Sequence, residues 1–147
     1  MSFLRPALGA DQEDLDGFLC ARTDSAFEIE VQEFAQELLT WAVGDAHREA
    51  LVLEVDGSIV GFVAYEDDDG DVFINALGIR ADRQGEGLGK MLLLSVLVDL
   101  STSHPGRLAT WLVHPANFAS HAVSEHVGAV ATYPSEDQPY ARYAIQL

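Results

Sequence analysis

The spacing of apolar and polar residues changes along the chain and predicts a helical region followed by a region richer in strands. Residues 3–8 form a short extended start, because a proline within them disfavours a helix. Acidic residues at the start of the segment 11–22 favour a helix there. Apolar residues at helical spacing predict a second helix over about residues 29–43, and Gly44 ends it.

The middle of the chain is predicted to be an antiparallel meander. Its apolar, β-branched runs cover residues 50–55, 58–66 and 71–79. Asp56 and Gly57 predict a hairpin turn, since both residues tolerate positive φ. The second turn holds the acidic run EDDDGD, but Tyr65 and Ala76 stand where a calcium-binding loop requires acids. We therefore interpret this run as a solvated turn and expect no metal site there.

The last part of the chain alternates helices and strands. The predicted elements are a helix over about residues 87–103, a strand over 107–114, a helix over about 117–126, and two strands over 129–134 and 140–147. No repeat, low-complexity tract or linker interrupts this pattern. Residues 1–147 are therefore expected to form a single α/β domain.

Composition and charge narrow the range of functions. The 147 residues include 24 acidic and 8 basic ones, a formal net charge of −16, which disfavours binding to nucleic acid or anionic membranes. This charge suits solubility or a salty interior, and it also suits a cationic acceptor. The chain does not start like a secretion signal, and its longest apolar run is too short to span a bilayer. We expect a cytoplasmic protein.

Three alternating glycines mark the most informative loop. Gly85, Gly87 and Gly89 lie within residues 79–90, a segment that also holds three of the eight basic residues. The pattern is neither the dinucleotide fingerprint nor a P-loop. A glycine-rich turn from a strand into a helix nevertheless exposes unpaired backbone N–H groups at the positive end of the helix dipole. The loop is a candidate cradle for phosphate, and the alternative is a plain tight turn.

The order of elements and three short motifs resemble the GNAT superfamily of N-acetyltransferases, over the whole chain. The family's phosphate loop, Q/R-x-x-G-x-G/A, is matched by QGEGLG at residues 84–89. The preceding strand ends in a pattern like L-x-V, matched by LGI at residues 77–79. A V-x-x-x-N…G pattern is matched by Val113, Asn117 and Gly128. The resemblance implies an α/β fold of the mixed, α+β type, with mostly antiparallel strands, a central splayed pair and flanking helices.

The resemblance also implies acetyl-CoA, or a related acyl-CoA, as cofactor. In such proteins the loop N–H groups hold the pyrophosphate, and the strand before the loop pairs with the pantetheine arm and polarises the thioester carbonyl. The motif asparagine hydrogen-bonds the arm from the other wall. The implied cofactor-binding residues are Leu77, Gly78, Ile79, Arg83, Gln84, Gly85, Glu86, Gly87, Leu88, Gly89, Lys90 and Asn117. A homodimer is expected by analogy.

Three positions depart from the family pattern. Glu86 stands where a basic residue is common, and Arg83 and Lys90 compensate for it in our interpretation. Asn75 occupies the place of a glutamate that often acts through water as general base. Ser124, a much weaker acid, occupies the place of a tyrosine that often protonates the departing thiolate. The usual acid–base pair is therefore not present, and Ser124 remains the candidate acid.

His114 is the preferred candidate for the base. An alkyl amine near pKa 10 is only about one part in a thousand neutral at pH 7, so a group must accept its proton. His114 ends a predicted strand at the edge of the split, and the alternative is that it only caps the His-Pro turn. His121 and His126 are expected to be solvated, and Cys20 is expected to be core rather than an acyl carrier.

Aromatic residues near both ends of the chain suit an acceptor pocket, because aromatic rings attract cations. They are Phe27, Trp41, Tyr133, Tyr140 and Tyr143. The alternative is that they are core or interface residues.

Three functions are consistent with these features. The leading hypothesis is an acetyl-CoA-dependent N-acetyltransferase that transfers the acetyl group to a primary amine of a small molecule or peptide by direct attack on the thioester. The alternative is a non-catalytic acyl-CoA-binding regulatory module, in which Asn75 and Ser124 mark lost chemistry. A third is a domain without cofactor that acts through a protein partner.

Overall fold

One mixed sheet runs through the computed structural model, which describes residues 2–133 and 140–147. Its strands are β1 (Ser2–Pro6), β2 (Arg48–Val55), β3 (Ser58–Asp68), β4 (Asp71–Ile79), β5 (Leu108–Val113), β6 (Val130–Thr132) and β7 (Ala141–Gln146). The helices are α1 (Gln12–Asp16), α2 (Ala26–Gln36), α3 (Leu38–Ala42), α4 (Leu88–Ser103) and α5 (Phe118–His126), with 3₁₀ turns at Gly9–Asp11 and Ala81–Arg83.

The sheet has the order β1-β2-β3-β4-β5-β7-β6. Among these described strands, β4 and β5 are parallel and every other neighbouring pair is antiparallel. The helix α4 connects the parallel pair, as a crossover between parallel strands requires. This arrangement confirms the predicted fold class of a mixed, mostly antiparallel sheet with flanking helices.

Each face of the sheet is covered by its own apolar cluster. On one face α4 buries Leu92, Val96 and Leu100 and packs against β3 and β4. On the other face α1, α2 and α3 pack through residues such as Leu15 and Leu38, both fully buried. Helices with an apolar stripe on the sheet side and polar residues outside are stabilised mainly by this burial.

The structure divides the predicted helix 29–43 into two. The first helix, α2, starts earlier, at Ala26, and the chain breaks at Glu37, whose φ of −96° and ψ of 4° are not helical. The reason is tertiary: α2 packs against β4, whereas α3 packs against β2, so the chain turns between them. The helix predicted within residues 11–22 is also shorter, because Gly17 ends it.

Both predicted hairpin turns are confirmed. Asp56 and Gly57 have φ of 49° and 84°, and Asp69 and Gly70 have φ of 53° and 91°, so each pair forms a two-residue turn with positive φ. The strand predicted over 129–134 is observed over β6, and its end at residue 134 lies outside the described residues. In the described part of the chain, no helix is both long and apolar enough to cross a membrane.

Candidate functional site

The strands β4 and β5 separate next to the glycine loop. They pair only from Val72 to Ile74 on β4, opposite residues 109–111 on β5. The split starts at Asn75, which is the extra residue of a β-bulge: Ile74 lies opposite Tyr65, and Ala76 lies opposite Ala64. A bulge bends its strand and re-aims a side chain, as often happens beside active sites. The predicted splayed pair is therefore present.

The glycines give the loop a conformation that other residues rarely adopt. Gly85 and Gly87 have φ of 85° and 83°, in the left-handed region. A Cβ atom at either position would meet no other atom within 4 Å, so the space beside the loop is open. Gly87 is the residue before α4, and its carbonyl accepts the N–H of Met91. The glycines thus serve the backbone conformation and leave the loop accessible.

The unpaired N–H groups of the loop indicate a binding site for an anion. Within the described residues, the N–H groups of 85–87 and of the first three residues of α4 have no hydrogen-bond acceptor. Unpaired N–H groups at a helix N-terminus attract phosphate through both hydrogen bonds and the helix dipole.

The charges around the loop are partly compensated. The Arg83 Nε atom lies 2.9 Å from Glu86 Oε2, so the predicted excess negative charge at Glu86 is neutralised locally. In the described part of the chain, Lys90 forms no ion pair. The loop therefore keeps one basic side chain available for an anion.

The side chain of Gln84 holds the loop in place through two hydrogen bonds. Its side-chain Nε2 donates to the carbonyl of Cys20 and to the carbonyl of Ile79, both at 2.8 Å. These bonds fix the loop to the end of β4 and to the segment after α1. Cys20 itself is buried, as predicted, and burial raises the pKa of its thiol to about 11, which disfavours the reactive thiolate.

The LGI stretch forms the wall of the split on β4. Ile79 is buried and Leu77 is half-buried on the face of α4. Gly78 points the other way, where a Cβ would lie only 2.5 Å from Phe62 Cε1, so no other residue fits without movement. Beyond Ile74, β4 has no strand partner on its β5 side in the described chain, which leaves backbone groups there for a ligand.

Asn117 stands on the opposite wall. It is the residue before α5, and its Oδ1 accepts the N–H of Ser120 at 3.2 Å. This bond orients the side chain and leaves the amide Nδ2 as a donor.

His114 lies between two aromatic rings. Its ring stacks on Phe27 of α2 with centroids 4.7 Å apart, and it meets the edge of Tyr140 at 5.3 Å. The backbone N–H of Ala116 donates to His114 Nδ1 at 3.0 Å. Because a backbone N–H can only donate, the neutral ring carries its hydrogen on Nε2. The geometry thus matches the turn-capping alternative, and it leaves Nε2 as a donor rather than a base.

A second group of polar contacts lies behind β5. Trp111 Nε1 donates to Ser124 Oγ at 2.8 Å, and Ser124 is buried. His121 Nε2 faces the carbonyl of His114, so His121 Nδ1 accepts from the buried Tyr143 hydroxyl, whose pKa is raised by its burial. His121, which was expected to be solvated, is partly buried, and its ring is held by these two bonds.

The predicted aromatic residues do not form one pocket. Phe27 and Tyr140 meet at His114, whereas Trp41 packs on Phe34 and under Arg48. Tyr143 is buried against Trp111, and Tyr133 is exposed. Only the first group borders the split.

Sequence reasoning did not identify Glu66. Its Oε1 accepts a hydrogen bond from Asn75 Nδ2 at 3.2 Å, and its Oε2 lies 3.5 Å from Arg48 Nε. Glu66 and Asn75 are nine positions apart on neighbouring strands, and the bulge decides which side chains meet. No periodicity in the sequence reports such a contact.

The residues present fit a diphosphate-bearing acyl thioester such as acetyl-CoA. Among the residues that the structure describes, the cradle offers N–H groups without an acceptor, open space at Gly85 and Gly87, and Lys90 without an ion-pair partner. The split that leads away from it exposes backbone on β4 and an amide donor on Asn117. A long ligand with an anionic end and an amide-rich arm matches this sequence of groups.

The fold is similar to those of solved acetyltransferases. An acetyltransferase from Thermus thermophilus matches with a TM-score of 0.78 at 20% identity, over 100% of this chain and 97% of that chain. The PaiA N-acetyltransferase from Thermoplasma acidophilum, crystallised in complex with coenzyme A, gives 0.79 at 14%, over 100% and 99%. The ribosomal-protein-S18-alanine N-acetyltransferase from Escherichia coli gives 0.73 at 15%, over 100% and 93%. At these identities the likeness shows the fold.

The sequence carries the family assignment. No curated protein matches the chain. The sequence model of the acetyltransferase (GNAT) family, however, matches residues 16–129. This range includes the bulge, the split, the glycine loop and α5. The chain therefore belongs to the GNAT family of acetyltransferases.

Proposed function

We propose that the protein is an acetyl-CoA-dependent N-acetyltransferase that acts on a primary amine of a small molecule or peptide. The observation that carries this proposal is the continuity of the phosphate cradle at α4 with the split between β4 and β5. Acetyl-CoA, when bound, supplies the activated acetyl thioester. The fold alone does not determine the acceptor, because one fold hosts many functions.

In this proposal the residues of the loop bind and orient the cofactor. The N–H groups of residues 85–90, which have no acceptor within residues 2–133 and 140–147, hold the diphosphate, and Lys90 adds a positive charge. The unpaired edge of β4 through Leu77 and Ile79 binds the arm, together with the Asn117 amide. One backbone N–H of this edge stabilises the oxyanion, and such a donor is worth roughly 2.7–4 kcal/mol in known enzymes.

The acceptor enters from the side of α2 in this proposal. Phe27, His114 and Tyr140 form an aromatic wall there, and aromatic rings favour a cationic amine. The candidate acid Ser124 is buried, and its hydroxyl accepts a hydrogen bond from Trp111. In this proposal the departing thiolate therefore takes its proton from water.

The proposal is tested by CoA release with a panel of acceptors. The panel contains an aliphatic monoamine, an aliphatic diamine, an aromatic ethylamine and short peptides with a free α-amino group. We expect at least one to give acetyl-CoA-dependent product, identified by mass spectrometry as carrying the acetyl group on nitrogen. Binding of acetyl-CoA without turnover of any member would contradict the enzymatic proposal.

That outcome would favour the second candidate, a non-catalytic acyl-CoA-binding module. The amide at Asn75 and the hydroxyl at Ser124, in the places of a usual base and acid, are the observations in its favour. Absence of both binding and turnover would favour a domain that acts through a protein partner. A cytoplasmic location and a homodimer stay predictions.

A further inference from the structure

We infer that Glu66, on β3, is the group that accepts the proton lost by the acceptor amine; this inference rests on the proposed function. Glu66 lies opposite Phe73, the β4 residue two positions before Asn75. The contact between Glu66 Oε1 and Asn75 Nδ2, at 3.2 Å, places a carboxylate one side chain away from the start of the split. The position that opens the split holds the amide of Asn75, and the neighbouring strand β3 supplies the carboxylate that acts as base.

The β-bulge explains how a residue of β3 reaches this point. The bulge shifts the register of β4 by one residue between Ile74 and Ala76. The side chain of Asn75 is thereby aimed at β3, where it donates to Glu66 as well as to the carbonyl of Phe73. Both Asn75 and Glu66 are half-buried, so the carboxylate is shielded but still accessible.

The groups around Glu66 leave part of its carboxylate free to accept a further hydrogen bond or a proton. From β2, Arg48 Nε lies 3.5 Å from Glu66 Oε2, and it also lies 3.4 Å from Asp45, which shares its charge. The Arg48 Nε atom is buried and makes no hydrogen bond in the described chain. Beyond Arg48, the ring of Trp41 from α3 covers the guanidinium. From β4, the carboxylate lies opposite Phe73 and contacts Asn75, and the acidic Asp71 lies two residues before Phe73 on the same face of the strand. An ionised carboxylate accepts about four hydrogen bonds, and Glu66 uses few of them.

The other groups at the split do not suit the role of base. His114 Nδ1 already accepts from a backbone N–H, and its Nε2 carries the hydrogen of the neutral ring. The Asn75 amide is not basic. The reaction needs an acceptor because an alkyl ammonium of pKa about 10 must lose one proton before nitrogen attacks. The new N–C bond then forms, the C–S bond breaks, a second proton leaves nitrogen, and the thiolate takes one proton.

A second glutamate–arginine ion pair, Glu54 with Arg5, provides a matched control for the pair of Glu66 with Arg48. Glu54 on β2 lies 3.4 Å from Arg5, as half-buried a pair as Glu66 with Arg48. A role limited to the ion pair would make the two glutamates equivalent. A role as proton acceptor belongs to Glu66 alone, because Glu54 contacts β1 and not the split.

The test compares Glu66→Gln, Glu54→Gln and the double variant Glu66→Gln/Asn75→Glu, which exchanges the amide and the carboxylate across the same contact. Activity is measured with acetyl-CoA and the alkyl amine of the acceptor panel that the parent uses best. We expect Glu66→Gln to lower kcat/KM about 100-fold or more, with an unchanged KM for acetyl-CoA. Glu54→Gln stays within about twofold of the parent, and the double variant recovers at least about tenfold of the loss.

The pH profile separates a proton acceptor from a structural ion pair. In the parent, kcat/KM for the amine reaches a plateau below the amine pKa, because the ammonium can bind and be deprotonated. In Glu66→Gln it rises about tenfold per pH unit toward that pKa, since only neutral amine reacts. For an acceptor with a free α-amino group, whose pKa is about 8, Glu66→Gln should lower kcat/KM less, because more of this amine is already neutral.

The inference is overturned if Glu66→Gln keeps the parent rate and profile, or if Glu54→Gln loses as much activity. It is also overturned if the double variant recovers nothing. In each of these cases the parent still turns over, so the proposed function stands. A parent that binds acetyl-CoA but acetylates no acceptor would instead overturn the proposed function, and this inference with it.

Discussion

Gln84 connects the cofactor loop to two parts of the molecule that are distant in sequence. Its amide carries two N–H donors, and each serves a different carbonyl, that of Cys20 and that of Ile79. No apolar or acidic side chain of this size offers two donors. The residue therefore holds the loop in place before any ligand arrives, which lowers the ordering cost of binding.

Replacing Gln84 by leucine should weaken both stability and cofactor binding. Two carbonyl groups lose their donor, at a cost of about 1–3 kcal/mol in the free energy of unfolding. The loop also loses its brace, so the affinity for acetyl-CoA should fall at least about tenfold. Urea unfolding and calorimetric titration measure the two effects.

The matched control is Gln12→Leu. Gln12 also donates twice through its Nε2, to Asp16 Oδ1 and to the carbonyl of Gln36, but it lies in α1. Its replacement should leave the affinity for acetyl-CoA unchanged. Equal affinity in Gln84→Leu and the parent would show that the brace does not matter for binding.

Single functional residues were only partly predictable. Gln84, the glycines and Asn117 belong to short local motifs, and the structure places them around one split. The tautomer of His114 could not be predicted from the sequence, because it depends on a hydrogen bond from the backbone N–H of Ala116. Glu66 was missed because its partner is chosen by a bulge on another strand.

The strand β1 is tied to the start of α1 by one carboxylate. Asp11 accepts two hydrogen bonds from the Arg5 guanidinium, both at 2.8 Å, and one from the N–H of Leu8 at 2.7 Å. Asp11 is 6% exposed, so its carboxylate is shielded from solvent, whereas the Arg5 side chain is half-buried. The hydrogen bonds from Arg5, followed by that from Leu8, keep the pKa of Asp11 below its usual range.

Asp11→Asn should therefore lower stability in a pH-dependent manner. A carboxyl group whose pKa is lower in the folded state stabilises the fold above its unfolded pKa of 3.8. We expect a loss of about 1.5–3 kcal/mol at pH 7, and the difference from the parent should vanish as the pH falls below 3.8 through the lowered folded value. Urea unfolding at a series of pH values tests this.

A pH-independent difference between parent and Asp11→Asn would contradict this account. Asp82→Asn serves as the control, because Asp82 pairs with Arg80 at 2.6 Å on the exposed surface. Exposed ion pairs add little to stability, so this variant should unfold like the parent at every pH.

Whole elements were predictable where one local signal decided them. The hairpin turns followed from Asp-Gly pairs, and α4 followed from its apolar run after the loop. The break at Glu37 was not predictable, since apolar residues continue at helical spacing through it. It arises because α2 and α3 pack on different strands, and tertiary packing overrides local propensity.

At the level of the whole molecule, the order of elements carried the fold. Strand order in the sheet follows from connectivity and from the preference of parallel strands for right-handed crossovers, which together leave few topologies. The net charge of −16 does not determine the fold. Three of the eight basic residues, Arg80, Arg83 and Lys90, lie at or next to the glycine loop. With Arg83 paired to Glu86, the cradle of an acidic protein depends mainly on backbone N–H groups and Lys90.

The most direct test of the account is a calorimetric titration of acetyl-CoA into the parent, Gly87→Asp and Gly106→Asp. Both glycines have positive φ, 83° and 77°, and open space for a Cβ, but Gly106 lies beyond the opposite end of α4. An aspartate at position 87 strains the backbone and sets a negative charge against the diphosphate. We predict micromolar binding to the parent and to Gly106→Asp, and loss of binding in Gly87→Asp. Absence of binding to the parent, or equal binding by Gly87→Asp, would contradict the claim that the glycine loop cradles the cofactor.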